Sequence, residues 1–204
     1  MKKIYAVILA AGYSSRFSAF KPFAKYKDEY FIVTILKKLS FFCEKIFIVT
    51  GFNAKLLEKK LNDILQETEL SQKISFVFNH NFPKGMFSSI QIAAKKVYEI
   101  INQEDYAFLH LVDQPQISIL TYEKLAEFSN KSDNSIIIPS FQHKAGHPIL
   151  LKKSILKKII DSDINETLRN VLENYKADVF YVNVDDSAVI KDFNKDEDIS
   201  NFCD

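Results

Sequence analysis

Glycine is scarce in this 204-residue chain. There are four, Gly12, Gly51, Gly85 and Gly146, against roughly 7% in average usage. Neither G-x-G-x-x-G nor G-x-x-x-x-G-K-[ST] can be drawn from these positions, which removes the usual marks of dinucleotide binding and of the P-loop. H-E-x-x-H and G-x-S-x-G are absent too, and with them the marks of zinc proteases and α/β-hydrolases. Cysteine is nearly missing. Cys43 and Cys203 stand far apart, without zinc or disulfide spacing, and this points to a reducing compartment. Net charge is also lacking, because 27 basic side chains against 26 acidic ones give +1, no whole-molecule field for nucleic acid or an anionic membrane. No apolar run approaches the ~18 residues of a membrane span. The apolar N-terminal stretch breaks at Gly12 into Ser14, Ser15 and Arg16, as a strand entering a loop does and a signal peptide does not. The expectation is an unexported, cytoplasmic protein without nucleic-acid or membrane partners, in which any phosphate site is local.

What is present is ordinary globular material, 47% apolar and 26% charged, long enough for one domain with a sizeable core. With no Pro/Gly/Ser linker, repeat or low-complexity tract, one domain is expected over residues 1–204. Short β-branched apolar runs at 4–10, 45–51, 74–79, 106–112 and 135–140 alternate with segments whose apolar positions recur three and four apart, at 30–42, 54–65, 88–100 and 121–129. Strands apolar on nearly every residue, linked by helical crossovers, predict an α/β fold with a mainly parallel sheet buried on both faces. Ligands in such sheets bind beyond the carboxyl ends of the strands. The last third is less regular, with HPILL, two helical stretches, a strand-like ADVFYVNVDD and a polar ending that reads as a helix.

The first of those strand ends carries the strongest chemistry. Residues 10–22, AAGYSSRFSAFKP, begin with small residues and continue through Ser14, Ser15, Arg16 and Lys21. Small residues let backbone N–H groups approach a triphosphate, and a guanidinium and an ammonium oppose its charge. Only two arginines exist, Arg16 and Arg169, and Arg binds phosphate bidentately. A solvated loop is the bland alternative. The fourth strand ends in LHLVDQPQIS, where Asp113 stands at the place a hard cation would be held against phosphates; a helix-capping Asp before Pro is its structural alternative. Ser88 and Ser89 stand at a helix start, where a capping role competes with ligand contact.

The run LAAGYSSRFSAFK resembles the L-A-A-G-x-S-x-R-M-G-x-x-K signature of MobA-like nucleotidyltransferases, especially the molybdenum cofactor cytidylyltransferases. Leu9, Ala10, Ala11, Gly12, Ser14, Arg16 and Lys21 match it, while Phe17 and Ser18 replace Met-Gly. Four more stretches follow in the family's order. NHNFPKGMFSSIQIA is similar to its N-x-x-x-x-x-G-M-x-x-S-L segment, matching Asn79, Gly85, Met86 and Ser89; DQP matches at Asp113, Gln114 and Pro115; KAGHPILL matches at Gly146, His147 and Pro148. The ending VDDSAVIKDFNKDEDI matches at Asp192, but has Asn194 for a second Asp and Lys195-Asp196 for Thr-Pro.

The resemblance implies a three-layer, Rossmann-like nucleotidyltransferase fold of the GT-A-like kind, with helices on both faces of the sheet. It implies nucleotide contacts from Leu9, Ala10, Ala11, Gly12, Ser14, Arg16, Lys21, Asn79, Gly85, Ser89 and Asp113, and catalytic roles for Arg16, Lys21 and Asp113. Acceptor contacts fall to Gln114, Pro115, Gly146, His147 and Pro148, and Mg²⁺ to Asp113 with Asp192 or Asn194. The Ala-Ala-Gly form resembles the cytidylyl members, so CTP and molybdopterin are the expected substrates, with a client molybdoenzyme as partner. A sugar-phosphate or choline-phosphate nucleotidyltransferase, and a non-catalytic nucleotide- or pterin-binding module, remain as alternatives, and a Rossmann-like cofactor-binding protein is disfavoured by the missing glycine fingerprint.

Overall fold

A computed structural model describes residues 2–203; Met1 and Asp204, the ends of the expected 1–204 domain, lie outside the described residues, as do the side chains of Asn201 and Cys203. In chain order the elements are β1 (Ile4–Leu9), β2 (Lys25–Tyr26), β3 (Glu29–Tyr30), α1 (Phe31–Ser40), β4 (Ile46–Thr50), α2 (Ala54–Leu65), α3 (Glu69–Lys73) and β5 (Ile74–Phe78). Then come α4 (Met86–Tyr98), β6 (Tyr106–Leu111), α5 (Ile119–Lys131), β7 (Ile136–Phe141), β8 (Lys144–Ala145) and β9 (Ile149–Lys152). The chain ends with α6 (Lys153–Asp161), α7 (Leu168–Glu173), β10 (Val179–Asn183) and α8 (Asp196–Cys203).

The main sheet runs β10-β7-β9-β6-β1-β4-β5, with the short β8 beside β7. Strand β1 is buried at all six positions, and its period of two sends alternate side chains to opposite faces. Ile4, Ala6 and Ile8 join one core with the buried residues of α1, α2 and α5. Tyr5, Val7 and Leu9 join another with those of α4, α6 and α7. The result is the expected three-layer α/β fold.

Two features settle what the sequence pattern leaves open. HPILL contributes β9, which lies antiparallel between β6 and β7; its four residues are all buried, so burial on both faces hid its direction. Helix α4 begins at Met86, with Gly85 as its N-cap, so Ser88 and Ser89 sit inside its first turns and do not cap it. Among the described residues no helix is long and apolar enough to cross a membrane. Cys43 is free and buried.

One detail of register positions the site. Strands β1 and β6 are parallel neighbours, with Leu9 opposite Leu111. The loop carrying Arg16 and Lys21 and the loop carrying Asp113 therefore leave the sheet side by side.

Candidate active site

The first loop folds back on itself immediately after β1. Ala10 and Ala11 are buried, and Gly51, at the end of the neighbouring β4, lies so near that a Cβ there would stand 2.8 Å from both the Ala11 carbonyl oxygen and Phe82. Only glycine permits that approach, so Gly51 supports the floor of the site although the sequence marks it as a plain turn. Beyond Gly12, Ser14 takes a left-handed conformation with φ of 56°, and its hydroxyl oxygen accepts from the Lys21 backbone N–H at 3.1 Å. That closure brings Lys21 against the second loop, where its Nζ lies 3.0 Å from Asp113 Oδ2.

Asp113 uses only one of its oxygens this way. Among the described residues Oδ1 is buried without a partner, a position that for a carboxylate calls for an ion or other donor. The C-terminal segment closes the other side. Phe193 N–H donates to the Asp113 carbonyl at 2.9 Å, Gln114 Nε2 donates to Asp192 Oδ1 at 2.8 Å, and Gln116 Nε2 donates to the Lys191 carbonyl at 2.7 Å. Arg16 Nη2 reaches Asn194 Oδ1 at 3.2 Å. Burial, and then the neighbouring Asp113 carboxylate, raise the Asp192 pKa, while Gln114 and Lys21 oppose the rise. Beneath these loops Lys38 Nζ donates to the carbonyls of Pro115 and Ile117 at 2.6 and 2.7 Å, which fixes the path of the chain after Asp113.

Between these loops lies a cavity of about 540 Å³. Leu9, Ala10, Ala11, Gly12, Ser14, Arg16, Lys21, Gly85, Ser89, Asp113, Asp192 and Asn194 all line it, so the structure brings segments nearly 200 residues apart in sequence to one place. Gly85 is held at φ of 102°, where a side chain would be strained. Asn79 is not on the wall. Its amide donates to the Ser88 and Ser89 hydroxyls, each at 2.9 Å, and its Oδ1 accepts from Asn81 N–H, so it shapes the turn before α4, while Gly85 and Ser89 line the cavity.

A second cavity of about 770 Å³ adjoins the first and shares Gly85, Met86 and Leu111 with it. Gly146 and His147 line this second space. Burial lowers the His147 pKa against smaller raising effects of the Leu109 backbone and Asp113, and its Nδ1 is buried without a partner. Gln114, Pro115 and Pro148 line neither cavity and are buried. Of these three expected acceptor residues, Gln114 donates to Asp192 and the Pro115 carbonyl accepts from Lys38.

Residues 6–179 match the model of the MobA-like NTP transferase domain. The chain belongs to this family. It is accordingly a nucleotidyltransferase, and it is 25% identical over 198 residues to the molybdenum cofactor cytidylyltransferase of Escherichia coli, covering 97% of this chain and 94% of that protein. A probable molybdenum cofactor guanylyltransferase of Clostridium perfringens is 30% identical over 166 residues, 80% of this chain and 73% of its own length. Among solved structures, Rv0371c from Mycobacterium tuberculosis superposes with a TM-score of 0.77 over 98% of each chain at 18% identity, and its manganese complex with 0.68 over 90% of this chain and 88% of that one at 17% identity. At those identities the superpositions speak for the fold.

Several wall residues escape the motif reading. Tyr13 stands on the rim 5.2 Å from the Phe52 ring and 5.3 Å from Phe82, and Tyr13, Pro22 and Phe82 line the first cavity. Arg169, the second arginine, lines the second cavity with Lys84 and Tyr181. Its rarity was the available signal; its position followed from α7 packing below the sheet.

Proposed function

We propose that this nucleotidyltransferase transfers CMP from CTP to molybdopterin in its molybdenum form and releases pyrophosphate. The observation that carries the reading is the meeting of Lys21 with Asp113, one of whose oxygens is buried and unpartnered, at the shared end of β1 and β6. The triphosphate lies along residues 10–21, where small residues open the backbone and Arg16 and Lys21 oppose charge on the leaving pyrophosphate. The acceptor occupies the second cavity, with its phosphate at the shared Gly85–Leu111 side. A phosphate oxygen forms a bond to the α-phosphorus while the bond from that phosphorus to the bridging oxygen of pyrophosphate breaks. The acceptor phosphate is already anionic, so positioning and charge stabilisation suffice and His147 need not serve as base.

The donor set suits a hard divalent cation. Asp113 and Asp192 supply two carboxylates and Asn194 an amide oxygen, and the unpartnered Asp113 oxygen gives such an ion its ligand. Mg²⁺ suits so few protein ligands, because it keeps waters and takes substrate phosphate oxygens. When bound, Mg²⁺ supplies charge neutralisation to the phosphate oxygens. The Ala10-Ala11-Gly12 form and the similarity to the cytidylyltransferase along nearly the whole chain support CTP.

The test is thermal unfolding with CTP, GTP, ATP and UTP, each with and without Mg²⁺, since selective binding raises the melting temperature. Stabilisation by CTP with Mg²⁺ alone supports the proposal. A preference for GTP overturns the base assignment, and no shift with any nucleotide overturns the nucleotide site.

A further inference from the structure

The outer arm of the first loop is gripped residue by residue by the C-terminal segment. Ser18 engages both oxygens of one carboxylate: its N–H donates to Asp196 Oδ2 at 3.0 Å and its hydroxyl to Asp196 Oδ1 at 3.1 Å. The residue before it, Phe17, is buried in a small cluster with Tyr26, Phe31 and Phe193, and Phe31 lies between it and Phe193, at 6.1 and 5.6 Å from the two rings. The residue before that, Arg16, donates to Asn194. Of three consecutive loop residues, Arg16 and Ser18 thus bond to Asn194 and Asp196, and Phe17 between them shares the Phe193 cluster.

The gripping segment is itself held. The Asp198 carboxylate accepts from the N–H groups of Asn194 and Lys195 at 2.7 and 2.9 Å, satisfying donors at the start of α8, and those bonds keep its pKa low. Phe193 N–H is tied to the Asp113 carbonyl. The family pattern has glycine at position 18 and proline at position 196, and that pair cannot form these bonds.

Resting on the nucleotide-site reading above, we propose that Ser18 and Asp196 are positioning residues: they clamp the outer arm of the triphosphate loop to the C-terminal segment and so hold Arg16 ready for the phosphates. Without the clamp, the arm is ordered only when nucleotide binds, and that ordering is charged against affinity. The chemical step, in which neither side chain touches a reacting atom, is spared. The pair is exposed, so its effect is moderate, about three- to tenfold in nucleotide affinity.

The experiment uses the full chain in five forms: wild type, Ser18→Ala, Asp196→Ala, the double variant, and Asp196→Asn as the conservative control. Hydrogen exchange of residues 14–21 without nucleotide reads the clamp independently of activity. Exchange should quicken in Asp196→Ala and partly recover in Asp196→Asn. The KM for CTP should rise about three- to tenfold with kcat within about twofold of wild type, and Ser18→Ala should add nothing once Asp196 is gone, the mark of a shared interaction. Unchanged loop exchange, strictly additive substitutions, or a loss confined to kcat would overturn the clamp. If the wild-type chain bound no nucleotide while the loop exchange still responded, the clamp would stand as a contact and its role in positioning Arg16 for phosphates would be refuted together with the nucleotide site.

Discussion

The two adjoining cavities are built on opposite plans. The first takes most of its wall from two loops that leave neighbouring parallel strands, and it concentrates charge: Arg16 and Lys21 against Asp113 and Asp192. The second is larger and draws on many segments, from Lys84 to Tyr181; apolar residues such as Ile90, Leu109, Ile138 and Leu172 form part of its wall, and its charges, Lys84, Glu166, Arg169, Glu173 and Lys176, are spread over several segments. The difference teaches where chemistry is fixed and where selectivity is adjustable. A charge arrangement that opposes a triphosphate must be dense and tightly positioned, whereas a pocket for the body of an acceptor needs shape and a few polar anchors.

The hardest test of this contrast is removal of the carboxylate on the floor of the charged cavity. Asp113→Ala should lower pyrophosphate release about a thousandfold or more, measured in a coupled assay with CTP and acceptor. The fold should survive, with a melting temperature within a few degrees of wild type, because the variant also deletes a buried oxygen that no protein group satisfies. Turnover near the wild-type rate would remove Asp113 from the site. Arg16→Ala comes next, with kcat/KM for CTP down about a hundredfold. Steady-state kinetics would expose a weaker role if the loss were only a few-fold.

The second cavity should answer differently. Arg169→Ala should raise the acceptor KM about tenfold, the value of one lost charge-assisted contact, while CTP affinity by calorimetry stays unchanged. A matching loss of CTP affinity would show that the two cavities are one functional site.

The same contrast explains how much could be read from sequence. The parallel strands were legible because Ile4–Leu9 is apolar throughout and Tyr106–Leu111 is apolar but for His110, with helical periods between them. The charged loop was legible because its residues are consecutive, and Asp113 because it follows a strand directly. The antiparallel direction of β9 was not, since a fully buried four-residue strand carries no directional pattern. Nor were the roles of Gln114 and Asn79, which match motif positions yet point their amides at Asp192 and at Ser88 and Ser89. Motif position records that a residue matters; only packing tells whether it touches the ligand or the residue that does. The Ser18–Asp196 contact spans 178 positions, a separation no local pattern reports.

The smallest expected effect is the most discriminating for the charged cavity. Burial and Asp113 raise the Asp192 pKa above its ordinary 3.8. For an acid with a raised folded-state pKa, the folded protein holds more protons than the unfolded chain, so stability falls as pH climbs through the interval between the two values. Below 3.8 the group is protonated in both states and contributes nothing; above the folded value the full penalty remains. Asp192→Asn keeps an amide oxygen for Gln114 and deletes the charge, so this variant should melt higher than wild type near neutral pH and match it near pH 3.5. Asp192 is solvent-accessible, which screens the repulsion and limits the gain to about 1 to 2 °C. With CTP and Mg²⁺ present the order should reverse, because only the wild type keeps both carboxylates for the cation. A variant less stable than wild type at neutral pH without ligand would mean that Lys21 and Gln114 already more than offset the crowding of the two carboxylates, and that the charged cavity is held together before nucleotide arrives.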